Sequence, residues 1–165
     1  MTRVCLVGNG DINLRYELLS RETSREALAT YDLNEPFENT VAVETVSLGT
    51  AVALLNDLNW YLVRFVDEAL VREPSVSDTE WLSRELADAI RDDRLDPAET
   101  GRFLKVYGVE HPGDEPGVEE GTDDRPPLLV EPMLVARTDE TIPEYDIRDV
   151  GETLVVRLTE SEFDA

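Results

Sequence analysis

Cysteine, histidine and lysine are nearly missing from this chain: Cys5, His111 and Lys105 each stand alone among 165 residues. A lone cysteine excludes a disulfide framework and a cysteine metal cluster. Set in the apolar run Val4-Cys5-Leu6-Val7, it reads as a small buried hydrophobe in a reducing compartment. A single histidine removes any paired-histidine metal site and most triads. His111 also falls in a loop rich in proline and glycine, a poor place to hold a general base. No run of about 18 uncharged apolar residues occurs, so no membrane span is expected. The first residues show no basic segment leading into an apolar one, so no secretion signal is expected. No metal ligands, cofactor motif or catalytic set is therefore assigned.

What the chain has in excess is acid. Asp and Glu number 37 against 15 Lys and Arg, for a formal net charge of −22. Such acidity can mark a disordered tail. Periodic apolar segments and two tryptophans argue for a folded chain instead. The reading that fits is adaptation to molar salt, where a Debye length of about 3 Å screens self-repulsion. Replacing lysine by arginine also removes long flexible apolar stems. A halophilic cytoplasm is the expected setting. Acidity ordinarily argues against nucleic acid as partner, and in such a solvent local departures from it become the informative signal.

The stretch Ser47–Glu73, SLGTAVALLNDLNWYLVRFVDEALVRE, reads as one core helix. Ser47 is a good N-cap and Pro74 a stop. Apolar residues cover most of its circumference, and Asp57, Arg64, Glu68 and Arg72 form the one charged stripe. Thr2 to Val7 reads as a buried strand, followed by a helix from about Asp11, its N-cap. Ala27 to Leu33 is a strand or a last helical turn. Thr40 to Val46 is β-rich. Ser77-Asp78-Thr79-Glu80 has the form of a capping box opening a helix to Arg91. Asp96 to Glu99 suggests a helical turn, and Arg102–Val109, Leu128–Thr138 and Thr153–Thr159 suggest strands. His111 to Pro127 holds four of the nine prolines and reads as a solvated acidic loop. Glu160 to Ala165 is expected to fray. The expected fold is α+β in a single domain, residues 1–165. It is a two-layer sandwich of helices on a mixed sheet, with a ferredoxin-like βαββαβ core and a C-terminal β-β extension. A small Rossmann-like α/β sheet is the alternative.

Gly8-Asn9-Gly10 follows a strand and precedes a helix, the layout in which backbone N–H groups receive a phosphate. Asn13 stands where the dinucleotide fingerprint needs its third glycine, no Gly-Lys-Ser/Thr follows, and Asp11 would repel the anion. A structural turn explains these residues as well. Trp60 and Tyr61, beside Asn56 and Asn59, could line a pocket, or simply be core. The carboxylate pairs Asp92-Asp93, Glu119-Glu120 and Asp123-Asp124 read as solvated surface. The departure in charge lies between Met1 and Thr30, where Asp11, Glu17, Glu22 and Glu26 are matched by Arg3, Arg15, Arg21 and Arg25. A near-neutral face bearing Arg15, Arg21 and Arg25 is where a protein partner can dock without severe repulsion. Ordinary surface pairs such as Glu17 with Arg21 account for it equally.

The composition, with VCLVGNGDINLRYELLSRE and LLNDLNWYLVRFVDEAL, resembles small haloarchaeal proteins grouped as a family of unknown function. The resemblance implies a cytoplasmic location and brings no activity and no site residue. The functional expectation is a non-enzymatic binding or adaptor module with an unidentified protein partner; a homodimer fits as well. The rival is a small-molecule or nucleotide-binding protein, or an enzyme, using the Gly8–Asp11 loop with Trp60 and Tyr61.

Overall fold

The computed structural model describes residues 1–111 and 125–164. Among these residues seven strands form one mixed sheet, and six α-helices accompany it. Strand β1 (Thr2–Gly8) lies between β2 (Thr40–Thr45) and β3 (Val66–Arg72), antiparallel to both, so that Val4 faces Val43 on one side and Val71 on the other. The short β4 (Trp81–Ser83) carries the sheet onward. It pairs antiparallel with β3 through Leu70–Ser83 and Val71–Leu82, and parallel with β7 (Glu152–Leu158) through Trp81–Val156 and Leu82–Arg157. Beyond β7 come β5 (Phe103–Glu110) and the edge strand β6 (Leu128–Ala136), both antiparallel.

Alternation along the strands divides the apolar side chains between two cores. Val4, Leu6, Val41, Val43, Ala69 and Val71 face the helices α1 (Leu14–Leu19), α2 (Glu22–Leu28), α3 (Leu48–Asp57), α4 (Asn59–Phe65) and α5 (Arg84–Arg91). Cys5, Ala42, Leu70 and Trp81 point the other way, onto Val109, Leu154, Val156 and Leu158 of the C-terminal strands. The sheet therefore bends at β4 until its two halves face each other. Polar contacts also span the fold: Lys105 Nζ donates to Glu68 Oε2 at 2.8 Å, Tyr107 Oη donates to the same oxygen at 3.0 Å, and Glu38 N–H donates to Pro127 C=O at 2.8 Å. Pro132 within β6 lacks a backbone donor, which suits a strand at the edge of a sheet.

The α+β class with helices on a mixed sheet is what the sequence led one to expect. The sheet order β2-β1-β3-β4-β7-β5-β6 is not that of a ferredoxin-like core, because both neighbours of β1 run antiparallel to it. The largest correction concerns the expected core helix. Ser47 does cap it, its Oγ accepting from Thr50 N–H at 3.1 Å. The helix breaks at Leu58, resumes as α4, and ends at Phe65, and Val66–Arg72 is strand β3 in the middle of the sheet. Burial against β1 and β4 on two edges outweighs the helical preference of VDEALVR.

Ser77 Oγ accepts from Glu80 N–H at 3.0 Å, yet no helix follows. Trp81 and Leu82 extend into β4, and Ser83 caps α5 instead, accepting from Leu86 N–H. Helix α1 starts at Leu14 under Asn13, not at Asp11, and stops at Ser20. Ala27–Leu33 holds the end of α2 and a turn rather than a strand. The short 3-10 turn Pro97–Glu99 appears where one was expected. The C-terminal segment forms α6 (Glu160–Asp164), held where Ser83 Oγ donates to Glu162 Oε1 at 2.5 Å. Most of the expected acidic loop, with Glu119-Glu120 and Asp123-Asp124, lies outside the described residues.

Candidate functional site

Helix α4 presents a narrow exposed stripe. Tyr61 and Leu62 turn into the core, leaving Asn59, Trp60, Val63 and Arg64 outside. Trp60 is 47% exposed and Val63 72%, an unusual pair of large apolar side chains side by side in a chain this acidic. The indole is fixed by cations. The Arg64 guanidinium carbon lies 3.7 Å from its ring centroid while Arg64 Nη1 donates to the Trp60 carbonyl at 2.9 Å. Arg21, the residue preceding α2, reaches across with its guanidinium carbon 5.5 Å from Trp60 and 5.1 Å from Phe65. Such stacking contributes about 0.5–1 kcal/mol at exposed sites. It leaves Arg21 bound to Glu17 at 3.3 Å with donors to spare.

The three arginines singled out from sequence are thus not one cluster. Arg21 joins Trp60 and Arg64. Arg25 follows one turn along α2, where its N–H donates to Arg21 C=O at 2.9 Å. Arg15 lines a cavity of about 360 Å³ with Gly10, Asn13, Glu35, Glu38 and Asn39. Arg64 is the member that sequence reasoning placed on a charged stripe of a core helix and did not select. Its i,i+4 spacing from Trp60 was the available signal.

The Gly8–Asp11 loop is built for backbone contact. Asn39 adopts φ 56°, a left-handed conformation that asparagine tolerates better than most residues. From there its side chain accepts from Leu14 N–H at 2.9 Å and donates to Asn9 C=O at 2.9 Å, while its carbonyl accepts from Gly8 N–H. A Cβ on Gly8 would stand 2.7 Å from Asn39 Nδ2 and 2.8 Å from both Asn39 O and Leu14 Cβ. Gly8 is therefore required by packing. Gly10 is different, with nothing within 4 Å of the added atom. It borders both the cavity at Arg15 and a second one of about 500 Å³ reaching Tyr107 and Leu128–Pro132. Trp60 and Tyr61 line neither of these two cavities.

Several other titratable groups are engaged in the fold. Glu80 accepts from Arg137 Nη2 with both oxygens at 2.6 Å and from Arg157 Nε at 2.7 Å. Burial alone would raise its carboxyl, but hydrogen bonds and charge from the two arginines outweigh that and hold it below the usual range. Burial pushes the Cys5 thiol up to about 12, far from a reactive thiolate. Burial, and next the Glu68 carboxylate, raise the Tyr107 phenol well above its usual value. His111 Nε2 meets Glu152 Oε2 at 2.7 Å on the surface. No group of three or more His, Cys, Asp or Glu among the described residues could hold a metal ion. No helix among them is long and apolar enough to cross a membrane.

The chain belongs to a family of unknown function (DUF5804), which matches residues 2–109. That span runs from β1 almost to the end of β5 and contains α1 to α5, Trp60, Arg64 and the Gly8 loop. It omits Arg137 and Arg157, the partners of Glu80. No curated protein and no solved structure matches the chain.

Proposed function

We propose that this chain is a non-enzymatic binding module of a halophilic cytoplasm, docking a protein partner through the face where Arg21, at the start of α2, meets α4. The observation that carries the reading is Trp60, half exposed and held between Arg64 and Arg21. Tryptophan and arginine are the side chains that most often anchor interfaces, since one supplies rigid apolar area and the other a planar fork of donors. The partner surface is acidic. Arg21, Arg25 and Arg64 offer it cations on a molecule that otherwise repels it. A nucleic acid suits the face less well, because base stacking needs an open aromatic face and Arg64 already lies on that of Trp60.

The test is a comparison of R21E/R25E with the parent chain. A partner captured at native salt, then purified, should bind the double variant at least about tenfold more weakly, a loss of ~1.4 kcal/mol. Melting temperature should fall only modestly, because the Glu17–Arg21 pair contributes at most ~0.5 kcal/mol and the Trp60 stacking about 0.5–1 kcal/mol. Equal affinity for the two chains would remove the docking face.

A second reading has one observation in its favour, the two cavities meeting at Gly10. They would admit a small molecule rather than a phosphate. Glu35, Glu38 and Glu131 border them, and α1, with six residues, offers only a weak helix end.

A further inference from the structure

The two flanks of the α4 stripe carry opposite charge. On the α2 side stand Arg21 and Arg64, stacked on Trp60. On the α5 side, Val63 opens onto a cavity of about 370 Å³ with an apolar floor of Leu62, Val66 and Ala69. Asp67, Glu85 and Asp88 border that cavity. Asp88 Oδ1 is buried there with no hydrogen-bond partner. Arg84 lines the same cavity, its guanidinium donating to Asn59 Oδ1 at 2.8 Å and Asn56 Oδ1 at 3.2 Å, and the carboxylates there outnumber it. Between the flanks run the exposed apolar side chains of Trp60 and Val63.

We infer that this surface is the interface of a homodimer, in which the arginine flank of one copy lies against the carboxylate flank of the other. The inference rests on the docking reading above and names a second copy of the chain as an occupant of that face. Symmetry selects the arrangement. A half-turn about an axis parallel to α4 carries the Arg64 side of one copy onto the Glu85 side of its partner. A two-fold axis across the helix would set arginine against arginine. The parallel arrangement is isologous and closes at two subunits. It brings the Val63 side chains together at the centre and aims Arg64 at the acidic rim of the opposite cavity. A stable dimer needs about 800 Å² from each copy, more than four exposed side chains supply, so both flanks take part. Molar salt favours it by screening the −22 net charge of each copy and strengthening apolar association.

Light scattering with sedimentation equilibrium in about 2 M KCl tests this. The intact chain should have twice its 18.6 kDa mass at about 100 micromolar. V63D sets two carboxylates face to face at the two-fold axis and should be a folded monomer, with unchanged circular dichroism. R64E and E85R should each shift the chain to monomer, and R64E/E85R should restore the dimer because the flanks have exchanged sign. A monomeric parent chain, a dimer indifferent to V63D, or a double variant that stays monomeric would each overturn the arrangement. If the parent is monomeric while R21E/R25E loses an outside partner, the dimer fails and the docking reading stands. If the parent dimerises and that double variant still binds the outside partner as tightly, the docking reading fails and the dimer stands.

Discussion

Gly8 and Gly10 stand two residues apart in one loop, and the structure treats them oppositely. At Gly8 a methyl group would strike the Asn39 carbonyl and Leu14 Cβ, both tied to backbone. Gly8→Ala should therefore destabilise by about 3 kcal/mol, at the upper end of overpacking costs. Gly10→Ala meets no atom, and Gly10 does not need the left-handed φ that Gly101 adopts. It should be neutral or stabilise by ~0.5 kcal/mol through a less flexible unfolded chain. Urea unfolding at native salt separates the two, and similar losses at both sites would contradict the packing described. Glu80 carries a largely buried charge, its side chain only 15% exposed beneath Arg137 and Arg157. Its carboxyl titrates lower in the folded state than in the unfolded chain. Its contribution is therefore complete above about pH 4.5 and lost as pH falls through the depressed value. Glu80→Gln leaves two arginines without their carboxylate and should cost about 3 kcal/mol near neutrality. Acid unfolding curves of the parent and variant should converge as pH falls through that depressed value. A constant gap down to strong acid would show that Glu80 acts through packing alone.

At the scale of elements, Val66–Arg72 shows what local sequence leaves undecided. Neither glycine nor proline separates Phe65 from Val66, and Asp67, Glu68, Ala69 and Leu70 all accept a helix. What makes the segment a strand is remote: Cys5 lies opposite Leu70 on one side and Ser83 on the other. A peptide of residues 47–73 lacks those partners. In moderate trifluoroethanol its Hα chemical shifts should be helical through about Leu70, although the folded chain is extended there. Extended shifts at 66–72 in the peptide would show that the strand is local after all. The same logic sorts what else was legible. Strands β1, β2, β5, β6 and β7 were visible because their apolar residues are short runs bounded by turns. Ser47 was visible because capping is local chemistry. Trp81 was misplaced into a helix because Ser77 and Glu80 imitate a capping box, while Glu80 in fact serves Arg137 and Arg157, more than fifty residues further along the chain. Arg21 could be selected from charge pattern alone. Its stacking on Trp60 depends on where the turn between α1 and α2 comes against α4, which no local signal states.

For the whole molecule, the acidity is an argument about solvent. The fold concentrates its apolar atoms in two cores divided by a bent sheet, and the halves are joined through the three-residue β4 and across the second core. Opposed to that packing is the self-repulsion of 37 carboxylate-bearing residues against 15 cationic ones. In molar salt the screening length is about 3 Å, shorter than most spacings between surface charges, and repulsion barely registers. At 0.1 M it is about 10 Å, and carboxylates on both halves of the sheet repel through solvent. Charged ties such as Lys105 with Glu68 and Glu80 with its arginines are largely buried, so dilution strengthens them little. Stepwise dilution from about 2 M to 0.1 M KCl should therefore lower the melting temperature steadily and end in loss of helical circular dichroism. Sucrose at low ionic strength favours the compact state without screening charge and should rescue the fold only in part. A melting temperature independent of salt would mean that the carboxylates are far enough apart to be harmless, and the case for a halophilic solvent would fall with it.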